Sequence, residues 1–91
     1  MTKVARKVTI CNARGLHARA AAKFVEMAQG FDATIHVSRD GETVNADSIM
    51  ELLMLAASKG SVIAIESEGA DAERAADCLT ELVEAKFHED E

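Results

Sequence analysis

The chain has 91 residues, 48% of them hydrophobic and 29% charged, and carries a formal net charge of −6. That composition describes one ordered globular domain over residues 1–91, not a disordered chain. It contains no run of about 18 apolar residues to cross a bilayer and no apolar leader segment in the first 15 residues, and an acidic chain whose only aromatics are three Phe lacks the charge and stacking platforms of a nucleic-acid binder.

Residues 4–10 place Val4, Val8 and Ile10 among polar neighbours, which predicts a half-buried strand. A helix follows over 18–29. Ala21, Phe24, Val25 and Ala28 form its i, i+3, i+4, i+7 stripe, with Arg19, Lys23 and Glu26 on the other side. Gly30 is expected to end this helix in the left-handed conformation. Residues 32–38 alternate again, with Ala33, Ile35 and Val37 opposite Thr34, His36 and Ser38. Asp40-Gly41 is a two-residue hairpin signal, so Glu42 to Asn45 reads as the return strand. A second helix is expected over 49–57, with Ser48 and Glu51 forming a capping box. Residues 61–67 read as a central strand. From Asp71 a third helix carries Ala75, Leu79, Leu82 and Val83 on one stripe, with Lys86 near its end, and the terminal run His88 to Glu91 is expected to fray. The order β-α-β-β-α-β-α, with one apolar stripe per helix, predicts an α+β fold of two layers: a mostly antiparallel sheet with the helices on one face.

The junction before the first helix is the informative place. In "GLHARAAAKF", residues 15–24, His17 stands where Ser, Thr, Asp or Asn normally accepts a bond from a free helix amide. A helix start offers unpaired amides and partial positive charge, which attract anions and disfavour a protonated imidazole. A neutral imidazole keeps a lone pair and can act as a nucleophile. A phosphoryl group accepted there would lie over the amides of Ala18 and Arg19, with the Arg19 guanidinium as counter-charge. Gly15 lets the preceding loop approach closely. The plain alternative is that His17 is only a cap.

"GLHARAAAKFV" together with "GETVNADSIMELLMLAASKG" resembles HPr, the histidine-containing phosphocarrier family of the phosphoenolpyruvate-dependent phosphotransferase system, over essentially the whole chain. "QGFDA" at 29–33 and "LLMLAASKG" at 52–60 are more similar to NPr, its nitrogen-branch type. The resemblance implies a four-stranded sheet of order 1-4-2-3 in an open-faced sandwich. It implies that His17 takes phosphate on Nδ1 from phosphorylated enzyme I and passes it to an enzyme IIA, with Arg19 assisting. Ser48 matches a serine that an HPr kinase/phosphorylase modifies in some bacteria, although its role as a helix cap already accounts for it. Ala20 stands where the family has proline, and Glu26 and Gln29 where many relatives have lysine.

Helix two is apolar almost all round. Ile49, Met50 and Leu53 are therefore expected to be exposed for partner docking, beside His17 by the resemblance, with Leu52, Leu55 and Ala56 in the core. His36 and His88 read as surface residues. No metal-ligand constellation is visible and no organic cofactor is implied; Cys11 and Cys78 read as free thiols. The expectation is a cytoplasmic monomer that carries phosphate to protein partners. A regulatory module of the same fold and an unrelated two-layer interaction domain are the alternatives.

Overall fold

The computed structural model describes residues 2–89. Seven elements run in the expected order: β1 (Lys3–Thr9), α1 (Ala18–Gln29), β2 (Thr34–Arg39), β3 (Glu42–Asn45), α2 (Ile49–Met54), β4 (Val62–Glu68) and α3 (Ala72–Glu84). The strands form one antiparallel sheet of order β1-β4-β2-β3. β4 lies between β1 and β2, with Ile65 opposite Arg6 on one side and Val37 on the other. Strand alternation decides the two faces. Val8, Ile35, Val37, Ile63 and Ile65 are buried beneath the helices, whereas Lys7, Thr34 and Val62 are exposed. Phe24, Leu52, Leu79 and Val83 from the helices complete the same core. Arg6 sits on the helix-side face at its margin, where its guanidinium meets Asp77 of α3 at 3.3 Å.

The hairpin forms as its sequence requires. Asp40 and Gly41 have φ of 51° and 87°, the two left-handed residues of a type I′ turn, and Arg39 pairs with Glu42. Several boundaries move. Ile10 lies just beyond β1, buried and bonded to Ser61. Gly30 is not left-handed: its φ is −80°, and its amide closes a right-handed turn on Met27 at 3.1 Å. α2 stops at Met54 because Ala56 takes a φ of 50°, which cannot continue a right-handed helix. That turn exposes Ala56 and buries Ala57 in its place. Arg39 reaches across from β2 to donate to the Leu55 carbonyl at 3.0 Å, satisfying a free group at the helix end. His36 is half-buried on the open face of the sheet, and His88 is exposed.

The end of the chain departs most from expectation. After α3, Lys86, Phe87 and His88 have φ of 58°, 54° and 62°, three consecutive left-handed residues, none of them glycine. Lys86 thus lies in this turn and not in α3. Phe87 is fully buried. The Lys23 ammonium of α1 donates to the Phe87 carbonyl at 2.7 Å, so His88 and Glu89 are held against α1 and do not fray. Asp90 and Glu91, the rest of that run, lie outside the described residues.

Candidate functional site

The loop from Ile10 to His17 carries the histidine, and its shape is set by one glycine. Gly15 has φ +68°, and a Cβ there would lie 2.7 Å from the Ala57 carbonyl oxygen and 2.8 Å from Ser58 Cα. Only glycine permits both the left-handed turn and this approach. Leu16 then donates its amide to the Ala57 carbonyl at 2.8 Å and buries its side chain. The loop carrying the histidine is therefore tied to the segment that follows α2. The expectation put the start of α2 beside His17; the contacts this loop makes come from the opposite end of that helix.

His17 is the N-cap of α1, with extended backbone (φ −83°, ψ −178°). Its Nδ1 accepts a hydrogen bond from the Arg19 amide at 3.3 Å. The other ring nitrogen, Nε2, is hydrogen-bonded to Glu89 Oε2. A carboxylate is an acceptor and the Arg19 amide is a donor, so the two bonds assign the ring as the tautomer with hydrogen on Nε2 and the lone pair on Nδ1. The first turn of α1 contains no acidic residue to compete for an anion. Ala18 and Arg19 are exposed, and the Arg19 guanidinium has no polar partner among the described residues. His17 itself keeps 19% of its side-chain surface accessible.

Glu89 is the residue that sequence reasoning missed. It is 72 positions from His17, in an acidic run that reads as a solvated tail. Its second carboxylate oxygen accepts from Asn12 Nδ2 at 3.0 Å, and the same amide nitrogen donates to the Gly15 carbonyl at 2.8 Å. Asn12 is fully buried. Burial works to raise the Glu89 carboxyl, but hydrogen bonds from His17 and Asn12, with the nearby Lys23 charge, outweigh it and hold the carboxyl below its usual range.

Ser48 caps α2: its hydroxyl accepts from the Glu51 amide at 3.2 Å. The reciprocal half of the capping box differs. Glu51 turns to the Asn45 amide at 3.1 Å and so joins the helix to β3. On α2, Ile49, Met50 and Leu53 are exposed as expected, at 39%, 76% and 38%. Met54, not expected there, joins them at 70%. Leu52 and Leu55 are core. Cys11 and Cys78 are free thiols, half-buried and unpaired. Among the described residues no helix is long and apolar enough to cross a membrane.

Residues 4–85 match the family model described as the PTS HPr component phosphorylation site. The phosphocarrier protein NPr of Shewanella violacea is 46% identical over 89 residues, covering 98% of each chain. The phosphocarrier protein HPr of Cupriavidus necator is 44% identical over 86 residues, covering 94% of this chain and 97% of the relative. Among solved structures, HPr-C-His from Thermoanaerobacter tengcongensis superposes with a TM-score of 0.90 at 43% identity, covering both chains fully. A helix opened by a histidine, on a sheet of order 1-4-2-3, thus coincides with agreement along nearly the whole chain, and the chain belongs to the HPr family of phosphocarrier proteins of the phosphotransferase system.

Proposed function

We propose that His17 accepts a phosphoryl group on Nδ1 from phosphorylated enzyme I and passes it to an enzyme IIA, in the cytoplasm, within a sugar or nitrogen-related phosphotransferase system. The observation that carries this reading is the ring's tautomer: Nδ1 holds the lone pair at the open start of a helix while Nε2 is occupied elsewhere. In the acceptor step the Nδ1 electron pair forms the N–P bond. The bond from phosphorus to the donor's nitrogen breaks, and its electron pair returns to the donor. The Arg19 amide, released from Nδ1, and the Ala18 amide then donate to phosphate oxygens. The Arg19 guanidinium, exposed and without a described partner, is free to add charge-assisted bonds. Ile49, Met50 and Leu53 form the apolar part of the docking surface, with Met54 beside them.

Ser48 is the candidate for modification by an HPr kinase/phosphorylase. As the cap of α2, close in sequence to the docking residues, it is where added negative charge would affect partner binding without unfolding the helix.

The test is phosphate uptake from phosphoenolpyruvate and enzyme I. His17→Ala is expected to take up none while keeping its circular dichroism spectrum, since the lost cap costs only about 0.5–2 kcal/mol. A folded His17→Ala protein that still forms an acid-labile phosphate bond would overturn the assignment.

A further inference from the structure

The tail of the chain is built with more care than a solvated end requires. Three non-glycine residues are held left-handed, a conformation that L-residues adopt only at a cost. Strain of this kind persists only where surrounding contacts impose it. Those contacts are the fully buried Phe87 side chain, the bond from Lys23 Nζ to the Phe87 carbonyl, and the bonds closing the turn, His88 N to Ala85 O and Glu89 N to Lys86 O, each 3.0 Å. Their combined result is to bring one carboxylate to the imidazole. Both of its oxygens are used, Oε2 by His17 Nε2 and Oε1 by Asn12 Nδ2. Asn12 cannot be turned over to serve otherwise, because its amide nitrogen also faces the Gly15 carbonyl, which only accepts. Its own Oδ1 is buried and has no hydrogen-bond partner among the described residues, a cost that the fixed orientation carries.

We propose that Glu89 is a positioning residue for phosphoryl transfer: it holds the hydrogen on His17 Nε2, keeps the lone pair on Nδ1, and stabilises the imidazolium that forms as the N–P bond is made. The inference rests on the reading of His17 given above. As Nδ1 gives its electron pair to phosphorus, the ring takes on positive charge. The Nε2 hydrogen stays on the ring, and its bond to the Glu89 carboxylate becomes a bond between opposite charges. This is the role an aspartate plays behind the histidine of a serine hydrolase. The carboxylate also repels the incoming phosphate, so the opposite effect is a physical alternative: a Glu89 that acted mainly as a like charge would slow the reaction, and its removal would speed it.

The experiment pairs transfer kinetics with nitrogen NMR of the His17 ring, using the full chain with 15N-histidine and phosphorylated enzyme I as donor. In alkaline solution, where an imidazole is neutral, wild type is expected to show a single tautomer with hydrogen on Nε2. Glu89→Ala is expected to show mixed tautomers and transfer about tenfold more slowly, the ratio corresponding to one modest charge-assisted hydrogen bond. Its half-saturating enzyme I concentration should be unchanged, because Glu89 acts through His17 and not on the partner. Glu89→Gln keeps an acceptor oxygen, so the single tautomer and part of the rate should return. Wild-type or faster transfer by Glu89→Ala, or ring signals that do not change, overturns the proposal. Phosphate uptake by His17→Ala would instead remove the reading beneath it, so the two failures are separable.

Discussion

Gly15 shows how far a single missing Cβ reaches. Its φ of +68° and its approach to Ala57 and Ser58 place Leu16 and then His17. Gly15→Ala meets two penalties: about 1–2 kcal/mol for a left-handed L-residue, and displacement of backbone that has no flexible end to yield. We expect a clear fall in melting temperature, of several degrees for a domain of this size. We also expect slower transfer in the protein that remains folded, because the loop carrying His17 must shift. A Gly15→Ala protein with wild-type melting temperature and wild-type phosphate uptake would contradict both. At this scale the sequence was informative where the signal was local. A histidine in a cap position, next to a glycine that could turn left-handed, was visible within three residues. Asn12 and Glu89 were not, because their roles come from a contact between segments more than 70 positions apart, and neither belongs to a local pattern.

Among the elements, α2 tests the docking surface. Periodicity placed Leu52 and Leu55 inward and Ile49, Met50 and Leu53 outward, and the structure agrees. The same periodicity failed past Met54, where Ala56 turns left-handed and helical spacing no longer assigns a face. Met50 is 76% exposed and Leu52 fully buried, so two glutamates two residues apart should behave differently. Met50→Glu is expected to leave the melting temperature nearly unchanged and weaken enzyme I binding at least about tenfold, since a buried Met or Leu at an interface is worth roughly 1.5–3 kcal/mol. Leu52→Glu leaves an unpaired charge in the core and is expected to cost about 3 kcal/mol or more, enough to unfold a small domain. Thermal melts and binding titrations on both variants check this. Normal enzyme I binding by Met50→Glu would move the docking surface elsewhere. Strand type and order of elements were legible because the period-2 and period-3.6 patterns are strong here. The 1-4-2-3 order came from the family resemblance and not from the pattern, since alternation says which face a strand buries but not which neighbour it pairs with.

For the whole molecule, acid is the condition that reports on the tail. Glu89 has a carboxyl held below its ordinary value in the folded chain. A group depressed in this way contributes stability above its unfolded pKa, which lies in the ordinary carboxylate range, and loses that contribution as pH falls through the lower folded value. Melting temperatures measured from neutral pH downward should therefore separate wild type from Glu89→Gln most above that unfolded value. The gap should close in more acidic solution, once the wild-type carboxyl is protonated. A constant gap at every pH would mean that Glu89 contributes to stability without its charge. No local pattern hints at this dependence, because a run of acidic residues looks the same whether it is solvated or folded back.

The imidazole that opens α1 also bears on what a carrier can pass on. A relay must release its cargo about as readily as it receives it. Any bond gained by the bound phosphoryl group lowers the free energy available from its hydrolysis by the same amount. In the unloaded protein the Arg19 amide already bonds, at 3.3 Å, the very nitrogen that must react. Loading exchanges that bond for others and does not fill an empty site, and those others lie on an exposed first turn where water competes. With His17 as the proposed carrier, the net gain at the helix start is smaller than an unoccupied nitrogen would give, which leaves more of the donor's transfer potential for the acceptor.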